Sequence, residues 1–535
     1  MTEATLTDAS LAGRSLIGAD DVDGQAGGTF HAYDPATGAA LDPAFGECGP
    51  DEVARATELA WDAFPTYRRT SPDERAAFLE SIADEIEARA EVLASRVTAE
   101  TGLPAGRVAG ETARTTGQLR MFAATLREGS WLQARIDPGD PSRGPLPKPD
   151  VRQRSVPLGP VAVFGASNFP LAFSVAGGDT ASALAAGAPV VVKAHPSHPG
   201  TSEIVGRAIR AAVRRHGLPE GTFSLLQGTS NALGGALVTD PRIRAVGFTG
   251  SRAGGLALVE LAQRRPVPIP VYAEMSAVNP VFVLPGAAAE RGAEIGSAFV
   301  TSVTGSAGQL CTKPGLLFVV DGPGADDLAA AAAGAVADVA AVPMLSKGIA
   351  TAFADATAAT ADGDGVRPLG AGTADASIAC TGTPTLYEVT GGEFLAQPQL
   401  QHEMFGPASL VVRVADAGEL LSVVASLEGQ LTATVHLTDG DHGTAGELLE
   451  HLELIAGRLI VNGWPTGVEV GHAMVHGGPY PATSAPSTTS VGMRAIERFL
   501  RPVAYQDVPD DLLPAELRDA NSLAIFRRID GRPEQ

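Results

Sequence analysis

The middle of the chain alternates between short apolar runs and longer helix-like segments. The apolar runs have the length of buried strands and read PVAVF, PVVVK, FSLLQ, AVGFT and PVYAEM. Segments of small residues or of amphipathic periodicity separate them, and glycine or proline marks most of the boundaries. Continuous apolar strands that alternate with helices are typical of a parallel sheet covered on both faces. We therefore predict a doubly wound, nucleotide-binding α/β domain at residues 159–275.

Helices are predicted before this sheet. The sequence Ser71-Pro72-Asp73-Glu74 is a capping box with proline in the first helical turn. Apolar residues then recur at three-to-four-residue spacing, and a further helix is predicted from about residue 109 to 126. Residues 136–150 hold too much proline and glycine for a helix, so we expect an extended connection or arm there.

A second α/β unit is predicted to begin after residues 279–283. Residues 325–360 are rich in alanine and are predicted to be helical, and residues 410–414 and 459–461 have the pattern of strands. The chain beyond Val503 is charged and interrupted by prolines, and we expect it to wrap the surface.

Composition narrows the function classes. The chain has 535 residues with 61 acidic and 39 basic side chains, a net charge of −22. Such a charge disfavours nucleic acid and anionic membrane as partners. The N-terminus lacks the apolar run of a signal peptide, and no stretch is long and apolar enough to span a membrane. We expect a soluble, cytoplasmic protein.

Cysteine and histidine are sparse. Three cysteines are too few and too scattered for a disulfide framework or a zinc site. The ten histidines do not group at ligand spacing, so we predict no metal. The closest pairs are interpreted as local polar residues: His195, His198, His472 and His476.

Three polar side chains end apolar strands or the turns that follow them. They are Asn168 in GASNFP, Lys193 in VVVKAHPSHP and Glu274 in YAEMSAVNP. The carboxyl edge of such a sheet is where ligands bind. There an asparagine amide can donate to a developing oxyanion, a lysine can bind ribose or phosphate, and a carboxylate can activate water. The alternatives are an Asx-turn, a surface lysine, and a helix cap or ion pair.

Two further turns carry candidate binding residues. The segment FTGSRAGG contains Gly250 and Ser251 and leads from a strand into a helix, whose N-terminus favours phosphate. It lacks the lysine of a P-loop and the ordinary dinucleotide fingerprint. In EMFGP, Glu403 can accept from ribose hydroxyls and Phe405 can pack on a flat ring. The alternative there is a turn anchored by a buried phenylalanine.

The segment GSAGQLCTKP places Cys311 behind a loop of small residues and ahead of a proline. Gly305 and Gly308 give the backbone freedom to approach a ligand. If a helix begins near Gln309, its first amides would stabilise a thiolate and an oxyanion. The alternative is a buried structural cysteine. The hypothesis is that the polar strand ends converge on this thiol.

Six ordered segments resemble the aldehyde dehydrogenase superfamily over roughly residues 30–510: SNFP, VVVKAHPSHP, GFTGS, AEMSAVNP, GQLC and EMFGP. Longer phrases, among them TTGQLRMFA and VNGWPTGVEVGHAMVHGGPYPAT, resemble its bacterial 2,5-dioxopentanoate (α-ketoglutarate semialdehyde) branch. The resemblance implies an α/β fold with two doubly wound parallel-sheet domains and a small oligomerisation arm. The expected division is a cofactor domain in 1–133 and 159–275, a catalytic domain in 276–478, an arm in 134–158 and 479–510, and a tail in 511–535.

The resemblance also implies a mechanism. The Cys311 thiolate attacks an aldehyde carbon, Asn168 and the Cys311 amide hold the oxyanion, hydride passes to a nicotinamide, and water activated by Glu274 hydrolyses the thioester. The implied product is a carboxylic acid, with 2-oxoglutarate from 2,5-dioxopentanoate as the expected case. The residues expected at the cofactor are Lys193, His195, Pro196, Gly250, Ser251, Glu403 and Phe405.

Two departures from the family pattern are visible. Ser276 and Ala277 stand where two glycines are usual. Pro196 stands where NAD-preferring relatives often carry a glutamate that accepts from the adenosine ribose. The proline side chain cannot accept a hydrogen bond from the ribose, and no carboxylate at this position repels a 2′-phosphate. Lys193 and His195 would favour the binding of a 2′-phosphate. We predict that NADP is used at least as well as NAD.

The substrate is the most open expectation. An acid-aldehyde needs a cation beyond the thiol, and Arg120 is the candidate, with a surface arginine as the alternative. Phe169 and Phe173 are the other expected substrate contacts. Long-chain or succinic semialdehyde specificity, a CoA-acylating enzyme and a non-catalytic relative are the competing hypotheses, and Glu274 argues against CoA. A homodimer or homotetramer is expected from the resemblance.

Overall fold

The computed structural model describes residues 11–24 and 26–534. Residues 1–10, for which the sequence predicts no signal peptide, lie outside the described residues. The strands are, in chain order, β1 (Ser15–Ile17), β2 (Asp20–Val22), β3 (Thr29–Tyr33), β4 (Ala40–Gly46), β5 (Arg135–Asp137), β6 (Val151–Pro157), β7 (Val161–Phe164), β8 (Val190–Lys193), β9 (Phe223–Leu226), β10 (Ala245–Thr249), β11 (Val271–Glu274), β12 (Val281–Val283), β13 (Leu316–Val320), β14 (Val342–Pro343), β15 (Arg367–Ala371), β16 (Thr381–Gly382), β17 (Thr385–Thr390), β18 (Ala408–Val414), β19 (Gln430–His436), β20 (Ala456–Val461), β21 (Leu500–Gln506), β22 (Arg528–Ile529) and β23 (Arg532–Pro533).

The helices cover the faces of the sheets. They are α1 (Pro50–Tyr67), α2 (Pro72–Glu87), α3 (Ala90–Thr101), α4 (Ala105–Glu128), α5 (Gly178–Ala186), α6 (Pro199–Arg215), α7 (Asn231–Thr239), α8 (Arg252–Gln263), α9 (Pro285–Thr304), α10 (Pro323–Ala337), α11 (Lys347–Ala361), α12 (Gly391–Ala396), α13 (Ala417–Ser426) and α14 (His442–Leu452). The predicted capping box is present: Ser71 Oγ accepts from Glu74 N at 3.2 Å. Within the described residues, no helix has the length and apolar character that a membrane crossing needs.

The first large sheet has the strand order β11-β10-β7-β8-β9-β1-β2. Its strands β7 to β11 are parallel, and β1 and β2 join them antiparallel. Strand β7 is followed along the chain by β8 and β9 on one side and by β10 and β11 on the other. The winding therefore reverses between β7 and β10, and in open α/β sheets ligands bind at that reversal, beyond the carboxyl ends.

The second large sheet has the order β15-β17-β18-β13-β12-β19-β20. All its neighbouring strands are parallel except the edge pair β15 and β17. The ring of Phe282 on β12 stacks on that of Phe318 on β13, with centroids 5.2 Å apart. Helices α9 and α10 cover one face of this sheet and bury residues such as Phe299 and Leu328. Two doubly wound sheets confirm the predicted fold class.

The smaller sheet has the order β21-β6-β5-β22-β23. Its first three strands fall in the segments predicted as an arm, but the C-terminal segment adds β22 and β23. The expectation that this segment only wraps the surface is therefore corrected. The side chain of Arg527 is fully buried and pairs with Glu534 at 2.6 Å, which anchors the C-terminal pair of strands.

Candidate active site

A cleft of about 980 Å³ lies at the winding reversal of the first sheet and extends to the second. This volume suits a large ligand such as a dinucleotide. Its wall contains every residue that the sequence assigned to the cofactor: Lys193, His195, Pro196, Gly250, Ser251, Glu403 and Phe405. The structure thus brings together residues from two strand ends of the first sheet, β8 and β10, and from one turn of the second.

The cleft meets the N-terminus of α8. Ser251 caps this helix, because its Oγ accepts from Gly254 N at 3.2 Å. A Cβ on Gly250 would lie 2.7 Å from the ring of Phe248, so only glycine fits this turn without a shift. The unpaired amides of a helix N-terminus favour phosphate, so the residues present fit the pyrophosphate of a dinucleotide.

Lys193 ends β8 with its ammonium group in the cleft wall. Burial lowers its pKa to about 8, and the nearby carboxylate of Glu47 opposes that shift. Glu47 accepts hydrogen bonds from the backbone and side chain of Thr229, at 2.9 Å and 2.5 Å. Sequence reasoning missed Glu47, because it follows β4 of the small two-stranded sheet and not a strand of the predicted parallel sheet.

His195 lines the same part of the cleft. Burial lowers its pKa well below the usual value, and His198 and Lys193 lower it further. The imidazole is therefore neutral near pH 7, and its Nδ1 accepts from Ser197 N at 3.2 Å. Without a ligand His195 carries no positive charge, so it can bind a phosphate only by donating a hydrogen bond from its ring N–H.

A buried lysine supports the turn at Glu403. Lys313 Nζ donates to the carbonyl oxygens of Met404, at 2.9 Å, and Ala408, at 2.6 Å. Burial raises the pKa of Glu403, and the charge of Lys313 opposes this. Lys313 follows Cys311 by two residues, so it ties the cysteine segment to the cofactor cleft. The sequence did not single it out.

Three side chains from separate segments meet at the inner end of the cleft. His476 Nε2 lies 2.8 Å from Glu274 Oε1 and 3.4 Å from Cys311 Sγ. Ser490 Oγ donates to Glu274 Oε2 at 2.7 Å. Sγ of Cys311, a carboxylate oxygen of Glu274 and a ring nitrogen of His476 all lie within 4.8 Å of one another. The predicted approach of Glu274 to Cys311 is present.

His476 corrects the sequence interpretation. It was read as a local polar residue, but its ring is fully buried against the thiol and the carboxylate. The segment around it, GHAMVHGGP, forms no strand or helix, so no periodicity marked the direction of its side chain.

The loop that carries Cys311 is not a helix start. Helix α9 ends at Thr304, and Ser306 and Ala307 adopt left-handed φ angles of 52° and 54°. The conditional expectation of a helix at Gln309 is therefore wrong, and the thiol has no helix dipole of that origin. Asn168 Nδ2 donates to the Gln309 carbonyl at 3.0 Å, and a second N–H remains on this amide.

A second asparagine holds the same loop. Asn279 Nδ2 donates to the carbonyl oxygens of Cys311, at 2.9 Å, and Lys313, at 3.1 Å. Its Oδ1 accepts from Thr432 at 3.1 Å. Asn279 stands in the segment AEMSAVNP, whose pattern alone does not indicate this role.

The electrostatics at the thiol favour its neutral form. Burial raises the pKa of Cys311 well above its usual value, and the charge of Glu274 raises it further, whereas Arg114 lowers it. For Glu274 burial acts in the same upward direction, but His476 and Ser490 outweigh it and leave the pKa below the usual value. The resting site is thus a thiol beside a carboxylate.

A second cavity, of about 330 Å³, opens on the other side of Cys311. Phe169 and Phe173 line it, as the sequence predicted for substrate contacts. Leu310 and Val468 add apolar surface. Cys311 borders both this cavity and the larger cleft, so the thiol lies where the two spaces meet.

Arg120 does not reach this cavity, which corrects the predicted carboxylate contact. Its guanidinium donates to Glu87 and Asp84, and 40% of the side chain is exposed. The cavity is instead lined by Arg107 and Arg114 of the same helix, α4. With 3.6 residues per turn, Arg107 and Arg114 share a face, whereas Arg120 is rotated about 120° from Arg114.

Comparison with known proteins identifies the family. A sequence model described as the aldehyde dehydrogenase family matches residues 22–479. The chain is 57% identical over 525 residues to alpha-ketoglutaric semialdehyde dehydrogenase 2 of Azospirillum brasilense, covering 98% of this chain and all of the relative. The chain belongs to the aldehyde dehydrogenase family. This confirms the resemblance and the classification as an NAD(P)-dependent aldehyde dehydrogenase.

A second relative and a solved structure are consistent with this family assignment. Alpha-ketoglutaric semialdehyde dehydrogenase of Acinetobacter baylyi is 47% identical over 488 residues, covering 91% of this chain and 92% of the relative. The solved structure of PnpE in complex with nicotinamide adenine dinucleotide has a TM-score of 0.80 at 21% identity. It covers 94% of this chain and 99% of that one, which supports the fold.

Proposed function

We propose that this aldehyde dehydrogenase oxidises 2,5-dioxopentanoate to 2-oxoglutarate. The observation that carries the proposal is the position of Cys311 between a dinucleotide-sized cleft and a small cavity that contains arginine. The substrate follows the names of the two relatives above, which are 57% and 47% identical to this chain.

The first chemical step belongs to Cys311. Its proton leaves toward the hydrogen-bonded pair of His476 and Glu274 as the Sγ–carbon bond forms. The carbonyl oxygen becomes an oxyanion, which Asn168 and the Cys311 amide are suited to hold. When bound, NAD(P) supplies the acceptor for the hydride of the aldehyde carbon.

The second step is hydrolysis of the thioester on Cys311. Glu274 takes a proton from water, the water oxygen bonds to the acyl carbon, and the carbon–sulfur bond breaks. The products are the acid and a thiolate, which takes back the proton that the pair of His476 and Glu274 accepted, while the proton taken from water leaves to solvent. His476 and Ser490 each bond one oxygen of Glu274, so they fix the direction of the carboxylate. A hydrolytic base beside the thiol disfavours the CoA-acylating alternative.

We propose that the enzyme uses NADP as cofactor at least as effectively as NAD. Pro196 leaves no carboxylate at the position after the lysine motif, and Lys193 supplies an ammonium group. The Glu47 carboxylate is the opposing influence, but the two groups of Thr229 already use its oxygens.

The domain division is proposed as predicted, with the arm extended to include β22 and β23. We also propose that the chain forms a homodimer or homotetramer through this sheet. Among the described residues, β21 pairs with β6 on one side and forms the edge of the sheet on the other, and backbone groups at such an edge can recruit another strand. Light scattering of the purified chain measures the mass, and a monomer would contradict this.

The function is tested by a substrate panel followed through nicotinamide reduction with NAD and NADP. We expect the highest kcat/KM with 2,5-dioxopentanoate, and lower values with succinic semialdehyde and long-chain aldehydes. Cys311→Ala should abolish turnover. A preference for an uncharged long-chain aldehyde would overturn the proposed substrate, and unchanged turnover without the thiol would revive a non-catalytic assignment for this site.

A further inference from the structure

Two arginines of α4 line the cavity beside Cys311, and their surroundings differ. Arg107 and Arg114 are seven residues apart, nearly two helical turns, so both side chains reach the same space. One of them has a carboxylate partner and the other has none among the described residues.

Arg107 is neutralised by Glu111. Its Nη1 lies 2.7 Å from Glu111 Oε2, and the guanidinium stands 4.6 Å from the ring centroid of Phe169. The other oxygen of Glu111 accepts from the backbone amides of Leu171 and Ala172, at 2.9 Å and 3.0 Å. Glu111 is therefore bonded by Arg107 and by the turn that follows Asn168, and it forms no ion pair with Arg114, although its charge raises the pKa of Arg114.

Arg114 is a partly buried cation that forms no ion pair with any described residue. Its Nε and Nη2 atoms are buried and have no acceptor among the described residues. The guanidinium stands 5.2 Å and 5.7 Å from the ring centroids of Phe173 and Phe169. Burial lowers its pKa, and the charges of Cys311, Glu111 and Glu274 oppose that shift without bonding the guanidinium. Unsatisfied N–H groups in a partly buried site are costly, so a ligand that supplies acceptors gains free energy on binding.

The chemistry of this position selects a carboxylate. Arg114 lines the cavity, and a planar guanidinium there can offer N–H groups in a fork that matches two carboxylate oxygens. Between the arginines and Cys311, the phenylalanines and Leu310 offer apolar walls for a short carbon chain. A cavity of about 330 Å³ suits a small acid and leaves little room for a long alkyl chain.

We propose that Arg114 binds the carboxylate of the substrate and makes the enzyme selective for short aldehydes that carry an acid group at the far end. This inference rests on the proposed function, because it assigns one end of the substrate whose other end Cys311 attacks. It replaces Arg120 by a residue on the inner face of the same helix.

A different role for the same charge must be separated from this one. The positive charge of Arg114 also lowers the pKa of Cys311. If Arg114 acted only on the thiol, its loss would slow every aldehyde equally and move the pH profile. If it binds the substrate carboxylate, its loss affects acid-aldehydes far more than uncharged aldehydes.

The experiment compares Arg114→Met with the wild-type enzyme and with Arg127→Met. Arg127 lies on the outer face of α4 and pairs with Glu80 at 2.5 Å, so its substitution is the matched control. The assay measures kcat/KM for 2,5-dioxopentanoate and for pentanal, an uncharged aldehyde of the same length, across pH. Calorimetry measures binding of 2-oxoglutarate, which is independent of turnover. Melting temperature and cofactor binding report that each variant is folded.

For Arg114→Met we expect kcat/KM with 2,5-dioxopentanoate to fall about 100-fold or more, with pentanal changed less than about threefold. Binding of 2-oxoglutarate should be lost. Arg114→Lys should recover part of both, because the charge returns without the fork. Arg127→Met should match the wild type.

Equal losses for both aldehydes, or retained 2-oxoglutarate binding, would overturn the role of Arg114 and leave the proposed function standing. If Arg114→Met fails to fold, Arg114→Lys and Arg114→Gln carry the same comparison. Wild-type enzyme that oxidises pentanal but not 2,5-dioxopentanoate would instead overturn the proposed substrate. The two failures are therefore distinguishable.

Discussion

The Nε2 atom of His476 lies 2.8 Å from Oε1 of Glu274, although 202 positions separate the two residues in the chain. The same nitrogen lies 3.4 Å from Cys311 Sγ. One imidazole thus contacts both the nucleophile and the proposed water-activating base. The imidazole is therefore placed to accept the proton of the thiol, and its hydrogen bond holds the carboxylate of Glu274 in position.

Loss of the imidazole should slow the attack of the thiol. For His476→Ala we expect kcat to fall at least about tenfold, because Cys311 and Glu274 lose a shared partner. Cys311 would also lose the imidazole that lies 3.4 Å from its Sγ as a hydrogen-bond partner, while the carboxylate of Glu274 that raises its pKa stays in place. Iodoacetamide alkylation of Cys311 should therefore require higher pH than in the wild type.

The control for this variant is His472→Ala, an exposed histidine four residues earlier. It should leave the alkylation profile unchanged. An unaltered profile for His476→Ala would show that the imidazole does not act on the thiol.

Glu274→Gln should shift the pH dependence of Cys311 alkylation to lower pH, opposite to the shift expected for His476→Ala. The carboxylate raises the pKa of Cys311, so its neutral replacement should lower the pH at which alkylation begins. Hydrolysis should nevertheless fail, because the base for water is gone. Rapid mixing should reveal one burst of NAD(P)H followed by turnover reduced about 100-fold or more. A variant with no burst and slower alkylation would contradict the assignment of Glu274 as base.

The cofactor preference should respond to charge at the outer end of the cleft. Pro196→Glu introduces a carboxylate where a 2′-phosphate would lie, and we expect kcat/KM for NADP to fall at least tenfold with little change for NAD. Lys193→Ala should weaken NADP more than NAD. Glu47→Gln should act the other way and favour NADP about twofold to fivefold. Steady-state kinetics with each cofactor measure these ratios, and strict NAD dependence of the wild type would overturn the preference.

The loop of Cys311 depends on Gly308. Its φ is +65°, and a Cβ there would lie 2.2 Å from the carbonyl oxygen of Gly406. Gly308→Ala should therefore cost about 2 kcal/mol of stability and impair the thiol, through both strain and overlap. Gly334, inside α10, has open space around it. Gly334→Ala should raise the stability by about 0.5 to 1 kcal/mol. Thermal melting distinguishes the two, and equal melting temperatures would contradict the expected strain.

Much of the fold was predictable because it depends on local patterns. The strands around Val161, Val190 and Val271 are continuous apolar runs, and burial on both faces requires such runs. The residues assigned to the cofactor line one cleft because the carboxyl ends of parallel strands meet at one edge. The prediction that Arg120 contacts the substrate was wrong for a different reason. Helix periodicity tells which residues share a face of the helix, but not which face meets the cavity.

The sequence by itself predicted the residues proposed as nucleophile, base and oxyanion donor, and it predicted the residues that line the large cleft, because each stands in a motif that local structure carries to a strand end or a glycine turn. Only the tertiary structure decided which other side chains join them. His476 lies in an irregular segment, and Arg114 has the same residue type as its exposed neighbours on α4. Their roles depend on which distant groups they meet, and long-range packing alone determines that.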